Sequence, residues 1–343
     1  PAKYKSATFA AKVDKTTKRM SEFLRLLSRQ ISRLIPANLL FSRHVPVFLP
    51  FYHVVSNEKL PHILNYPFRT EKQFSKELDF FLKYFKPVSL TELVEKKDRK
   101  EKIFHLTFDD GLKESAEIIA PVLTKKGIPA TFFINTAFVN NQRLFHKYKA
   151  SLILNALRDQ PNDSIKRILK KNNLTRDNIL KAEYTQEGIL DEIASLLHIN
   201  FDEFLKKRKP YLTMEQLKQL HSSGFSIGAH SADHPEFYKI SAEKQLEQIR
   251  TSVNWVSENV QPKIRAFSFP FTDYGVSSTV LSKIEEEDIC DVTFGTAGVK
   301  YDTFDFHFQR YPMEQSGNFS RNLKGEFAYF ELRKLIGKAT VQH

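Results

Sequence analysis

A chain of 343 residues carries 52 Lys and Arg against 40 Asp and Glu, a formal net charge of +12, with 41% hydrophobic residues and 30 Phe among them. That length and apolar content suit one large α/β domain with an appendage, or two ordinary domains, and exclude an intrinsically disordered chain. The single cysteine, Cys290, excludes an intramolecular disulfide and a thiolate zinc cluster, while the positive charge favours anionic partners such as lipid headgroups, acidic glycans or nucleic acid.

No zinc-finger spacing, aromatic sheet motif or glycine clamp loop accompanies the charge, so no nucleic-acid partner is expected. No run reaches the roughly eighteen apolar residues of a membrane span, and the residues after Pro1 lack the apolar core of a secretory signal. Localisation stays open between the cytoplasm and the cell envelope.

Residues 1 to about 20 are polar and Lys-rich. Phe23, Leu24, Leu27, Ile31, Leu34 and Ile35 then recur at helical spacing, with Arg25, Arg29 and Arg33 every four residues, which predicts a basic amphipathic helix ended near Pro36. Such a helix suits an anionic membrane interface, but docking on its own protein or on a second subunit is the favoured expectation.

From Val45 the pattern changes to short apolar runs, Val47–Leu49 and Phe51–Val55, followed by a helix over Glu71–Tyr84 with Phe74, Leu78, Phe81 and Leu82 inward. Ile103–Phe108 reads as a buried strand ending at Asp109-Asp110-Gly111. A helix through Ser115–Lys126 and a strand at Ala130–Asn135 complete a strand-helix-strand unit with parallel strands. About 140 to 211 is polar and helical in pattern, a helical insertion. Beyond it come a helix over Met214–His221, a strand at Phe225–Ala229 delivering His230, and continued alternation through Trp255, Phe267, Ile284 and Phe294.

Two chemical features stand out. Adjacent carboxylates at a strand's end repel unless a cation or donor compensates them, so Asp109-Asp110 suggests a metal; alone, the pair would read rather as two solvated aspartates capping the following helix. Gly111 permits a turn that brings both carboxylates to one cleft. His230 and His234, four apart, are expected on one face of a helical turn where both imidazoles reach a single ion. One Asp and two His make a three-ligand site with open positions, the pattern of a catalytic metal. Zinc suits it, and cobalt, iron, manganese or nickel suit the same donors.

Leu106-Thr107-Phe108-Asp109-Asp110-Gly111 and His230-Ser231-Ala232-Asp233-His234-Pro235 resemble the first two motifs of the polysaccharide deacetylase family, which includes chitin, peptidoglycan and poly-N-acetylglucosamine deacetylases. Pro129-Ala130-Thr131-Phe132-Phe133 and the stretch from Leu212 to Leu217 are also similar, over roughly 45 to 315. The resemblance implies an α/β fold, a distorted (β/α) barrel with chemistry at the C-terminal ends of its strands. It implies Asp109 as general base and Asp110, His230 and His234 as metal ligands. The third motif is similar to Phe267-Ser268-Phe269-Pro270-Phe271-Thr272, where Ser268 replaces an Arg that tunes the base. That leaves Arg265 or Arg310 to partner Asp109, and the Phe271 N–H to meet the oxyanion. The segment Phe306–Pro312 offers His307 as general acid; Asp109 returning its proton is the alternative, as is a merely packed strand histidine.

The expected organisation is a basic segment over 1–43 and a catalytic domain over 44–343 carrying the insertion. The expected activity is metal-dependent removal of acetyl groups from a polysaccharide or glycolipid, N-acetylated sugar first. Tyr52-His53 and the stretch from Phe74 to Leu90 look most like the bacterial poly-N-acetylglucosamine deacetylase branch. A lipid-linked sugar at an anionic membrane surface is the second substrate reading, and a catalytically silent carbohydrate-binding protein on the same fold is the competing function.

Overall fold

The computed structural model describes residues 23–41, 45–95, 101–157 and 163–343. The expectation for the polar stretch before residue 23, and the proposed boundary at 43–44, lie outside those residues.

An eight-stranded parallel sheet holds the centre: β1 (Pro50–Tyr52), β2 (Leu106–Phe108), β3 (Ala130–Ile134), β4 (Ser226–Ala229), β5 (Ala266–Ser268), β6 (Val292–Gly295), β7 (His307–Gln309) and β8 (Tyr311–Pro312). Their spatial order is β7-β6-β5-β4-β3-β2-β1-β8. The two end strands are separated in the chain by Arg310 alone, so the run from His307 to Pro312 spans both edges and nearly closes the sheet into a barrel. Backbone bonds form on both sides of this seam: the Arg310 N–H donates to Gly295 O at 3.2 Å and the Tyr311 N–H to Leu49 O at 2.8 Å. Helices cover the outside, which is why strands such as β3 are buried along their whole length rather than alternating.

The helices begin and end where local chemistry dictates. Thr70 and Gln73 form a capping box ahead of Glu71–Tyr84, and that helix buries Phe74, Leu78 and Phe81. Gly127 takes the left-handed conformation that ends Ala120–Lys126 and turns the chain into β3. The helix expected from Ser115 opens as a π-helical turn, Ser115–Ile119. Pro121 offers no N–H to the carbonyl four residues earlier, and this widens the turn.

The strand expected over Ile103–Phe108 is two strands. Ile103–Phe104 pairs with Lys86–Pro87 in a small separate sheet, and β2 enters the barrel. His105 lies buried between them, its ring nitrogens 2.8 Å from Val88 O and from Thr131 Oγ1. A buried imidazole needs such partners, and apolar spacing does not reveal them.

Between β3 and β4 the chain makes the helical insertion, with helices His146–Ala156, Asp163–Lys171, Glu187–Leu196 and Phe201–Arg208 around a core of Ile153, Leu169, Ile179, Leu190 and Ile193. Residues 23–34 are helical and dock through a face that includes only part of the apolar stripe, with Leu24 and Ile31 half-buried. Ser28 and Ser32 are buried, Arg25 pairs with Glu326 at 3.2 Å, and Arg29 lies against Gly325 of the helix Phe319–Leu335. Phe23, Leu27 and Leu34 stay exposed. No helix among the described residues is long and apolar enough to cross a membrane.

Candidate active site

The loops following β1, β2, β4 and β5 converge on a cleft of about 310 Å³ at the C-terminal end of the barrel. Asp109 and Asp110 follow β2, His230 and His234 follow β4, and Phe271 follows β5. All five line the cleft. Arg265 does not reach it; its guanidinium is held by Asp288 and Asp291.

Adjacent carboxylates reach one cleft because the turn uses two left-handed residues. Asp110 has φ +72° and Gly111 φ +62°. A non-glycine residue held there costs about 1 kcal/mol or more, offset by the packing that fixes it. The histidines converge differently from expectation. His230 to His234 form an irregular loop, not a helical turn, with Ser231 at φ +69° and His234 at φ +61°. Side-chain bonds hold that loop: Asn135 donates to His230 O, and the His234 N–H donates to Ser231 Oγ at 3.0 Å. These local bonds substitute for a helical ladder.

The three-donor set has the geometry of a small divalent ion's ligands. His234 Nε2 is 3.2 Å and His230 Nε2 3.7 Å from Asp110 Oδ1. His230 Nδ1 donates to the Ser268 carbonyl at 2.8 Å, which leaves Nε2 free for the site. Asp110 Oδ1 is buried with no hydrogen-bond partner among the described residues. A buried carboxylate oxygen facing two imidazole nitrogens, with no donor of its own, fits a cation. Burial alone would raise the Asp110 pKa, yet the His234 imidazole, followed by His53 and His230, holds it below the ordinary range. His230 is pushed down to about 4, chiefly by burial.

Asp109 is not a donor of the same kind, because both its oxygens are taken by one guanidinium. Arg310 Nη1 and Nη2 donate to Oδ1 and Oδ2, each at 2.8 Å, and Nη2 also donates to Ser268 Oγ at 2.6 Å. Ser268 thus receives the cation that its own position lacks. Burial pushes the Asp109 carboxyl up, and Arg310, with His230 and His53, more than cancels it, so the group lies below its ordinary range.

His53, at the end of β1, is the cleft residue that sequence reasoning left without a role. Its Nδ1 lies 2.5 Å from Glu314 Oε2, and Glu314 Oε1 accepts the N–H groups of His53 and Val54 at 3.0 Å each. Burial lowers the imidazolium pKa, but the Glu314 carboxylate, with Asp110 and Asp109, outweighs it and raises the value to about 9. The available signal was position: a histidine directly after a buried apolar run in a parallel barrel emerges at the functional face.

His307, offered by the sequence as an acid, lies in β7 outside the cleft. Its Nδ1 is 2.7 Å from Thr293 Oγ1 and its Nε2 3.2 Å from Asp273 Oδ2. With Asp302 and His343 these groups form a second potential donor cluster. Gln309 Nε2 donates into its middle, 2.6 Å from Asp273 and 2.9 Å from Asp302, so the cluster satisfies itself.

Phe271 adopts φ +58°, its ring centroid 4.5 Å from that of His234, and its N–H makes no hydrogen bond among the described residues. The insertion reaches the same cleft. Tyr148 donates to Asp110 Oδ2 at 3.1 Å, while Arg143 and Tyr184 bond Asp233 Oδ2 at 2.9 and 2.5 Å and so brace the histidine loop.

Solved structures similar to this chain include a Streptococcus pyogenes deacetylase, PplD, in complex with acetate (14% identity, 83% of this chain and 99% of that one, TM-score 0.54). IcaB from Ammonifex degensii is similar at 14% identity over 84% of this chain and 98% of its own, TM-score 0.53. The putative polysaccharide deacetylase BA0330 from Bacillus anthracis matches at 14% identity over 82% of this chain and 68% of its own, TM-score 0.51. At such identities the likeness is one of fold. Among curated proteins none matches significantly in sequence. The family model described as polysaccharide deacetylase matches residues 96–286, more than half of the chain and the stretch that holds both the Asp109-Asp110 turn and the histidine loop. The chain belongs to the polysaccharide deacetylase family.

Proposed function

We propose that this protein hydrolyses acetyl groups on a polysaccharide, N-acetylated sugars first, with residues 44–343 as the catalytic unit and a divalent ion, zinc foremost, at Asp110, His230 and His234. The observation that carries the reading is the meeting, in one cleft, of a carboxylate paired with a buried guanidinium, a three-donor set with an orphaned oxygen, and a histidine hydrogen-bonded to Glu314.

When bound, the ion supplies Lewis-acid polarisation of the acetyl carbonyl and of the attacking water. Asp109 takes the proton of that water, oriented by the two Arg310 bonds. The Phe271 N–H donates to the oxyanion as the carbonyl carbon becomes tetrahedral. His53 Nε2 then gives its proton to the departing nitrogen as the C–N bond breaks, leaving acetate and a free amine; Glu314 stabilises the imidazolium until that moment. In this reading the acid is His53, and His307 is a packed strand residue. A silent binding protein has no use for a paired base and acid, so the retained Asp109 and His53 favour an enzyme.

The test is acetate release from N-acetylglucosamine oligomers and acetylated glycans after chelation and reloading with zinc or cobalt. Metal-dependent release lost in Asp109→Asn is expected. Release unaffected by that substitution, or none from any acetylated glycan with metal bound, overturns the reading.

A further inference from the structure

Beside the catalytic cleft lies a larger cavity of about 1050 Å³. Thr296 lines both, and the loop after β5 forms the wall between them: Phe271 faces the cleft, and Thr272 to Tyr274 line the cavity. The two cavities therefore adjoin at Thr296. None of the chemistry above uses the larger one.

Two properties define what fits there. The first is aromatic. Tyr274 is 81% exposed and Tyr238 47%, and both line the cavity. Tyr238 is pressed against Gly275, where an added Cβ would sit 2.7 Å from the Tyr238 Cβ. Exposed rings beside a polar cleft suit the C–H faces of pyranose rings, with hydroxyls left to water and to side chains.

The second is charge. Arg25, Lys300 and Arg333 line the cavity against Asp273 and Glu326. Both carboxylates are already engaged: Asp273 by the Thr296 N–H, His307 and Gln309, and Glu326 by Arg25 and the Val299 N–H. Arg333 donates from Nε to Lys338 O and from Nη1 to Tyr329 Oη. Lys300, half-buried, makes no hydrogen bond or ion pair among the described residues. An ammonium withdrawn from water without a counter-ion is costly, and an anion brought by a ligand removes that cost. Lys147, in the catalytic cleft, is not in that position, since it donates to Ala182 O and faces Glu236.

We propose that this cavity is a subsite for a neighbouring sugar bearing a negative charge, so that the substrate is an anionic acetylated glycan, with Tyr274 and Tyr238 stacking the ring and Lys300 pairing with its carboxylate or phosphate. This rests on the deacetylase reading for the reacting sugar and adds the identity of the sugar next to it.

The experiment compares three oligomers of equal length on the metal-loaded full chain: neutral N-acetylglucosamine, N-acetylglucosamine alternating with uronate, and phosphodiester-linked N-acetylhexosamine. Acetate release gives kcat and KM, and calorimetry gives binding whether or not turnover occurs. One or both anionic oligomers should bind at least about tenfold more tightly than the neutral one, the size of one charge-assisted contact. Which of them does so distinguishes carboxylate from phosphate. Lys300→Gln should abolish that preference through KM, and Tyr274→Ala, at an exposed position, should weaken all three oligomers together. Equal binding of neutral and anionic oligomers, or a preference that survives Lys300→Gln, overturns the subsite. Tight anionic binding without acetate release from any substrate keeps the subsite and overturns the deacetylase reading instead.

Discussion

Arg310 and Asp109, 201 residues apart in the chain, face each other through two parallel 2.8 Å hydrogen bonds with the guanidinium fully buried. The fork geometry fixes the carboxylate's plane as well as its charge. Arg310→Met leaves Asp109 buried and unpaired. The expected result is a loss of about 3–5 kcal/mol in unfolding free energy and a marked rise in the pH at which activity begins. Arg310→Lys keeps the charge but loses the fork, and should recover stability more than kcat. Denaturant melts and pH–rate profiles of the two variants check this.

The His53–Glu314 pair predicts the basic limb of the activity. His53 must be protonated to donate, and the Glu314 carboxylate 2.5 Å from its Nδ1 favours that form. Replacing Glu314 with Gln removes the charge that offsets burial, so the pKa falls and activity declines at a lower pH than in the native protein. His53→Ala should reduce kcat by roughly 10² to 10⁴ with bound metal unchanged. Rates measured from pH 6 to 10 would reject the assignment if the Glu314→Gln limb stayed in place.

Metal affinity should depend on the insertion as well as on the donors. Asp110→Asn and His234→Ala are expected to abolish stoichiometric zinc. Tyr148→Phe removes the 3.1 Å bond to Asp110 Oδ2 and should weaken zinc by about 10- to 100-fold. Competition titration against a chelator reads the difference, and wild-type affinity in Tyr148→Phe would dismiss the contact as incidental.

Stability should fall on mild acidification for a reason remote from the cleft. Burial depresses His105 from 6.5 to about 4 and His62 from 6.5 to about 3. Because both folded values lie below the unfolded one, the unfolded chain takes up protons first. Their contribution is complete above about pH 6.5 and is lost as pH falls toward about 4, roughly 3 kcal/mol for His105. Urea melts at pH 7 and pH 5 should show the drop, and His105→Gln should flatten it.

The parts of the site legible in the sequence are those whose geometry is local. Asp109-Asp110-Gly111 makes its own turn, and His230 to His234 is a short loop, so type and spacing sufficed even though the loop is not helical. Arg310, Glu314, His53 and Tyr148 come from four distant stretches, and only closure of the barrel and docking of the insertion bring them together. His307 shows the converse: its place near the last strand suggested a role, but register turns its ring toward Thr293 and Asp273, away from the cleft. The N-terminal helix was legible from its periodicity; the part that Ser28 and Ser32 take in its docking was not, since both serines are buried beside half-buried Leu24 and Ile31 while Phe23, Leu27 and Leu34 stay exposed.

The seam between β7 and β8 ties closure of the sheet to the charge balance of the cleft. The loops after β1, β2 and β4 carry His53, Asp109, Asp110, His230 and His234, while the run from His307 to Pro312 that joins both edges carries Arg310 beneath Asp109 and leads directly to Glu314 beside His53. The two counter-charges of the cleft thus ride on the segment that closes the barrel, so a substitution that loosens the seam is expected to unbalance the cleft as well as the sheet.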